Sequence, residues 1–240
     1  MGIEVSATKV VTVNDAHQNG VDTSIEANPT HGRLKGIWLT HVFSRNRKGD
    51  RRDDGNPLMH ALKGRRGYSI MPFWEQQLLT RAERILAKVS GDLQGFDHCM
   101  PIPSSSPFCA RFAALVSAAS GAPLLEPSFL CKRQVGELLV EARAAPPKMR
   151  PGLKRDFTSQ LHAWEQMDPA SIYQAKDLDV NLRQFFGAFA LTGDPPEVRG
   201  TRILVVDDLF ASGSSLLAVR EILQSRLGAE VACVCFLSGV

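Results

Sequence analysis

Apolar and polar positions along the chain follow two rhythms, and their order predicts strands alternating with helices. The clearest stretch is the unbroken run Ile203, Leu204, Val205 and Val206. With no polar residue inside it, the run predicts a strand buried on both faces of a sheet. Asp207 and Asp208 stand at its carboxyl end, followed by a loop of small residues, Ala211, Ser212, Gly213, Ser214 and Ser215. Helical spacing then resumes over 216–223. The same order occurs earlier: a strand over 96–102, a loop of Pro103, Ser104, Ser105, Ser106 and Pro107, and a helix through Phe112, Leu115 and Val116. Gly121 is placed to end that helix.

The remaining pattern fills in around these two units. Residues 3–13 have strand character, and the Asn19 and Gly20 turn predicts a hairpin with 21–25. Another strand is expected over 36–43. Pro57 opens a short helix over 58–63, as proline at a first helical position does. After Pro72, Trp74, Leu78, Leu79, Ala82, Ile85 and Leu86 fall on one helical face, with Gly91 as the stop. Residues 123–131 are expected to return to the sheet, and 231–237 to form a last strand. The stretch 144–156, rich in proline and basic residues, predicts an irregular loop. Short helical patterns follow over 161–167 and 169–176.

Composition narrows the function classes. A chain of 240 residues, 44% of them hydrophobic, can bury a full core. No apolar run reaches the ~20 residues of a membrane span, and no secretion signal opens the chain. The five cysteines, odd in number and set mostly in apolar stretches, predict reduced thiols and a cytoplasmic location. Cys233 and Cys235 share a strand face, but nothing supplies the other two ligands of a zinc site. The net charge of +3 admits anionic ligands without demanding nucleic acid. Arg45, Arg47, Lys48, Arg51 and Arg52 read first as a solvated loop; no interleaved aromatic residue supports base stacking. His60 and His98 are flanked by apolar residues and read as structural.

The stretch 203–215 carries chemistry. A strand, a small-residue loop and a helix start make an anion site in an open α/β sheet. Gly213 lets backbone approach a ligand, and free amides and serine hydroxyls can hold a phosphate. The two carboxylates would repel that phosphate, so they suit sugar hydroxyls or a divalent cation beside it. A phosphorylated ribose satisfies both halves. A phosphoacceptor receiver domain would need more sheet after its acidic pair than the one helix and one strand that follow here. No Gly-Lys-Ser or Gly-Lys-Thr loop is present. The plainest alternative is a buried strand, a capped helix and two surface acids.

The stretch resembles the 5-phosphoribosyl-1-pyrophosphate (PRPP) signature of type I phosphoribosyltransferases. That resemblance implies an α/β fold over 57–240, with a mostly parallel sheet flanked by helices. A small variable region, 1–56, with strands and the charged loop would precede it. It implies transfer of phosphoribosyl from PRPP to a nitrogen nucleophile, with Mg²⁺ and release of pyrophosphate. Asp207 and Asp208 would be catalytic, binding ribose hydroxyls and organising the cation. Ala211, Ser212, Gly213, Ser214 and Ser215 would hold the 5-phosphate. Pro103, Ser104, Ser105 and Ser106 would receive pyrophosphate, with Arg111, Lys132 or Arg133 supplying positive charge. A mobile basic loop at 144–156 would close over the ligand. The expected partners are PRPP and an acceptor, without a membrane; a homodimer is compatible.

Shorter pieces extend the resemblance to the competence-associated ComF-like group: His60 to Lys63, Met100 to Pro103, Arg133 with Gln134, Asn181, and Gly187 to Phe189. The chain lacks that group's cysteine-rich zinc segment before Cys99. It also carries a different loop after Pro103, so the acceptor is unspecified. The alternative is a regulator or effector that senses PRPP or a nucleotide without turnover, in a bacterial DNA-uptake or defence system.

Overall fold

A computed structural model describes residues 1–26, 30–34, 36–45, 56–104, 106–179, 181–210 and 213–238. In chain order the strands are β1 (Gly2–Val5), β2 (Val10–Asn14), β3 (Val21–Asp22), β4 (Thr30–Leu34), β5 (Ile37–Arg45) and β6 (Ser69–Ile70). They continue with β7 (His98–Pro101), β8 (Leu130–Lys132), β9 (Phe189–Leu191), β10 (Arg202–Phe210) and β11 (Glu230–Ser238). The α-helices are α1 (Pro57–Leu62), α2 (Pro72–Lys88), α3 (Pro107–Ser120), α4 (Val135–Ala144), α5 (Pro151–Glu165) and α6 (Ser214–Glu221).

The central sheet runs β3-β5-β11-β10-β7, with β4 on the outer side of β5. Its inner strands β5, β11, β10 and β7 are parallel, while β3 and β4 pair antiparallel to β5. The aliphatic run explains why β10 lies inside. Ile203, Leu204, Val205 and Val206 are all fully buried. Ile203 and Val205 face a core shared with α4, α5, α6 and β8. Leu204 and Val206 face a second core shared with α1, α2 and α3. Each such side chain is worth about 1.5–3 kcal/mol relative to exposure. A strand with this much to gain on both faces cannot be an edge. The fold is therefore mixed α/β, with a largely parallel sheet covered by helices on both faces.

Several elements differ from the sequence expectation. The run 3–13 is two strands: β1 turns back onto β2 through a tight bend in which Lys9 adopts φ 60° and its amide donates to Ser6 O. Val21 and Asp22 pair with β5 instead of with that run. Residues 123–131 meet the sheet only at Leu124, bridged to Cys99, and β8 forms a separate antiparallel ribbon with β9.

Of the irregular stretch expected over 144–156, residues 145–150, with Lys148 and Arg150, have no regular structure, while 151–156 belong to a helix. Pro151 takes the first position of α5, where a missing N–H costs nothing, so Lys154 and Arg155 ride on a helix. The basic connection is therefore shorter than expected, limited to 145–150. The pattern at 161–167 is the end of α5, and 169–176 is not a helix: Ile172 bridges Gln134, and a 3-10 turn follows at Ala175–Asp177. The charged loop after Arg45 lies outside the described residues. β5 belongs to the central sheet, so hydrogen bonding crosses the division expected at residue 57. Among the described residues, no helix is long and apolar enough to cross a membrane.

Candidate functional site

β7 and β10 run parallel with Val206 opposite Pro101, and Ile102 N donates to Val206 O at 2.9 Å. The loop 103–106 and the carboxylates therefore leave the same end of neighbouring strands. On the other side of β10, Asp207 stands level with Cys235 of β11. In an open α/β sheet this carboxyl end is where ligands bind.

Both carboxylates are buried, Asp207 at 7% and Asp208 at 3% exposure. Asp207 Oδ1 accepts the Asp208 amide at 2.8 Å, and the Leu209 amide also bonds this side chain. Burial raises the Asp207 pKa above the usual carboxylate range, and the neighbouring Asp208 charge adds to it. Lys63 and the two amides act in the opposite direction. Asp208 Oδ1 accepts Lys63 Nζ at 2.7 Å. Its Oδ2 is buried with no hydrogen-bond partner among the described residues.

Lys63 comes from far away in sequence. It closes α1, a helix started by Pro57 and capped by Asn56, whose Oδ1 accepts Leu58 N at 2.8 Å. Leu58, Met59, Ala61 and Leu62 anchor the helix in the core. Lys132, at the end of β8, belongs to the same charge group. Its pKa is lowered by burial first, then by Arg65 and Lys63, while Asp208 and Asp207 favour its charge.

Cys109 of α3 sits beneath the pair, its Sγ donating to Val206 O at 3.5 Å. Its sulfur and one oxygen from each carboxylate lie within 4.8 Å of one another. Burial, then the charges of Asp207 and Asp208, push the thiol pKa up. A thiol is a soft donor, whereas carboxylate oxygens, which give up a proton to an arriving cation, and the open Oδ2 of Asp208 suit a hard divalent ion. Asp207 and Asp208 are therefore the residues that would hold Mg²⁺.

Other sequence candidates fall in different places. Ser104 Oγ accepts Ser106 N at 3.2 Å, and Ser106 Oγ accepts Phe108 N at 3.4 Å, capping α3. Pro103 is half-buried; Ser105 lies outside the described residues. Gly213 caps α6 with φ 73°, a left-handed conformation that favours glycine, and Ser214 and Ser215 form the first turn. Ala211 and Ser212 lie outside the described residues. Arg111 pairs with Glu75 of α2, and Arg133 pairs with Glu137 and Glu141 of α4. Of the three cations expected near pyrophosphate, Lys132 interacts with the carboxylate pair. Two surface clefts lie elsewhere, one around Trp38, Phe96 and Arg202 and one around Met1, Phe73 and Arg81. Sequence reasoning missed Lys63 and Cys109 as neighbours of the acids. The sequence signals for Lys63 were its place at the end of a short apolar helix and in the His60 to Lys63 piece of the resemblance; neither reports its contact with Asp208.

Comparison with known proteins bears on this end of the chain. Residues 166–239 match the family model of the phosphoribosyl transferase domain. The matched segment contains β9, β10, α6 and β11, and with them Asp207, Asp208 and Gly213. Among solved structures, the chain is similar to adenine phosphoribosyltransferase from Leishmania tarentolae at 10% identity and TM-score 0.34, over 99% of this chain and 94% of that one. Similarity to the Leishmania donovani adenine phosphoribosyltransferase is 9% identity and TM-score 0.36, over 99% and 86%. Likeness this distant says nothing about substrate. No curated protein sequence matches the chain.

Proposed function

We propose that the chain binds PRPP with Mg²⁺ and transfers its phosphoribosyl group to a nitrogen nucleophile, releasing pyrophosphate. One observation carries the reading: two adjacent buried carboxylates stand near the carboxyl end of a central parallel strand, two residues before it closes at Phe210, inside the segment that matches the phosphoribosyl transferase domain. Asp207 and Asp208 would take the ribose hydroxyls and the cation. Ala211 to Ser215 would cradle the 5-phosphate against the α6 start. Pro103 to Ser106 would face pyrophosphate, with Lys132 as the nearby cation. Mg²⁺ would neutralise charge developing on the leaving pyrophosphate. The competence-associated ComF-like group, a cytoplasmic setting and a homodimer complete the proposal.

Isothermal titration tests it. PRPP is expected to bind in the presence of Mg²⁺, and Asp207→Asn/Asp208→Asn to abolish binding. No PRPP binding, or binding unchanged in that variant, would end the reading. Pyrophosphate release with a panel of nitrogenous bases then tests transfer.

A second reading, a sensor of PRPP or nucleotide without turnover, is favoured by the burial of both acids and by the Lys63 ion pair. Binding without pyrophosphate release from any base is the outcome expected of it.

A further inference from the structure

We infer that Lys63 is the resident counter-ion of Asp208, so that a free divalent cation gains the carboxylate pair only by displacing this ammonium. The inference rests on the reading of Asp207 and Asp208 as cation ligands, and it names the residue that sets their metal demand.

The geometry is specific. Lys63 Nζ donates to Asp208 Oδ1 at 2.7 Å, with the two side chains only 15% and 4% exposed. Water screens such a pair weakly, so the attraction is far larger than between surface charges. The ammonium is also delivered by framework. Lys63 N donates to Met59 O, and α1 is held by its Asn56 cap and four buried side chains.

The consequence for a cation follows from ligand supply. Mg²⁺ or Mn²⁺ requires about six oxygen donors. In the pair, Asp208 Oδ1 is taken by Lys63 and Asp207 Oδ1 by the Asp208 amide. The buried Oδ2 of Asp208 is open, but a divalent charge placed there would lie a few ångströms from the ammonium and be repelled. Two terms change when a ligand with phosphate oxygens arrives. The ligand supplies the missing donors, and it offers Lys63 another acceptor. Metal and phosphorylated ligand therefore bind as linked partners, each strengthening the other by the same factor.

The inference is read with the metal alone, and PRPP titration of the same proteins separates it from the reading it rests on. Free Mn²⁺ is titrated by electron paramagnetic resonance into wild-type protein, Lys63→Met, Lys63→Arg, Asp208→Asn and Lys63→Met/Asp208→Asn. Weak binding is expected in wild type and in Lys63→Arg, which keeps the positive charge. Lys63→Met is expected to bind Mn²⁺ at least tenfold more tightly, and the added Asp208→Asn to remove the gain. Equal affinity in wild type and Lys63→Met would overturn the inference. So would tight Mn²⁺ binding by wild type that Asp208→Asn abolishes, a result requiring no variant at position 63. If Lys63→Met gains Mn²⁺ affinity while PRPP binds to no form, the inference stands and the PRPP reading falls. If PRPP binds with Mg²⁺ but Lys63→Met shows no gain, the PRPP reading stands and the inference falls.

Discussion

Asp208 is buried with the Lys63 ammonium hydrogen-bonded to it, and removing the carboxylate should show what that pairing contributes. Asp208→Ala leaves Lys63 charged and unpaired in a nearly closed site, at a cost of about 3 kcal/mol. Lys63→Ala/Asp208→Ala is expected to recover part of that loss, and urea denaturation of the four-member cycle measures the coupling. Asp207 acts through protons instead. Burial raises its pKa in the folded chain, so the folded state holds a proton that the unfolded state has already released. Its contribution to stability is present at acid pH and is lost as pH rises from the ordinary carboxylate range toward neutrality. Urea denaturation across that range should show a shallower decline in Asp207→Asn. The acidic pair was legible in the sequence because its members are adjacent and follow an aliphatic run. Lys63 was not legible as a partner, because its acceptor lies 145 residues along the chain and no local pattern reports a contact of that span.

Among the elements, those punctuated by proline and glycine were legible. Pro57 and Pro72 each open a helix as expected, and Gly121 ends α3 with φ 74°. Pro107, placed in a loop, opens α3, and Gly91, expected to stop α2, lies in the 3-10 turn Ser90–Leu93 after α2 has ended at Lys88. The same punctuation misled at Pro151, whose neighbouring prolines suggested a loop although it begins α5. α4 went unseen because Gly136 interrupts its first turn and its apolar face is short. Gly136 has a tertiary reason to be there. Its amide donates to Pro169 O at 2.9 Å, and a Cβ at that position would lie 2.8 Å from Pro169 Cβ. Gly136→Ala is expected to destabilise by about 1–3 kcal/mol through overpacking, read as a lowered thermal midpoint. At Gly213 the constraint is conformational. Gly213→Ala must hold a left-handed φ at the start of α6, costing about 1 kcal/mol. Weaker PRPP binding should accompany that loss if the α6 start holds the 5-phosphate.

For the molecule as a whole, the matched segment is not a folding unit. Residues 166–239 supply β10 and β11, but their sheet neighbours β7 and β5 come from the first half of the chain. Expressed alone, that segment should show no cooperative unfolding transition, whereas the full chain should. A second global property concerns acid. His41 of β5 is buried and shares a hydrogen bond with Ser44 Oγ at 3.1 Å. Burial, then the charge of His31, lowers its pKa to about 4. The unfolded chain therefore takes up a proton that the folded chain refuses, and stability is lost as pH falls from about 6.5 through 4. His41→Gln is expected to flatten that acid limb in thermal melts. The parallel sheet and its two covering layers were legible as a class, from the runs at 203–206 and 231–237. Its strand order was not, because hydrophobic pattern says how deeply a strand is buried and not which strand lies beside it.

That order has a consequence during synthesis. β11 is inserted between β5 and β10, so a ribosome has made nearly every described residue before the strand joining the two halves exists. Until residues 230–238 emerge, β5 and β10 each present an unpaired apolar edge to water or to other nascent chains. Translation rate and chaperone supply should then affect how much folded material a cell recovers.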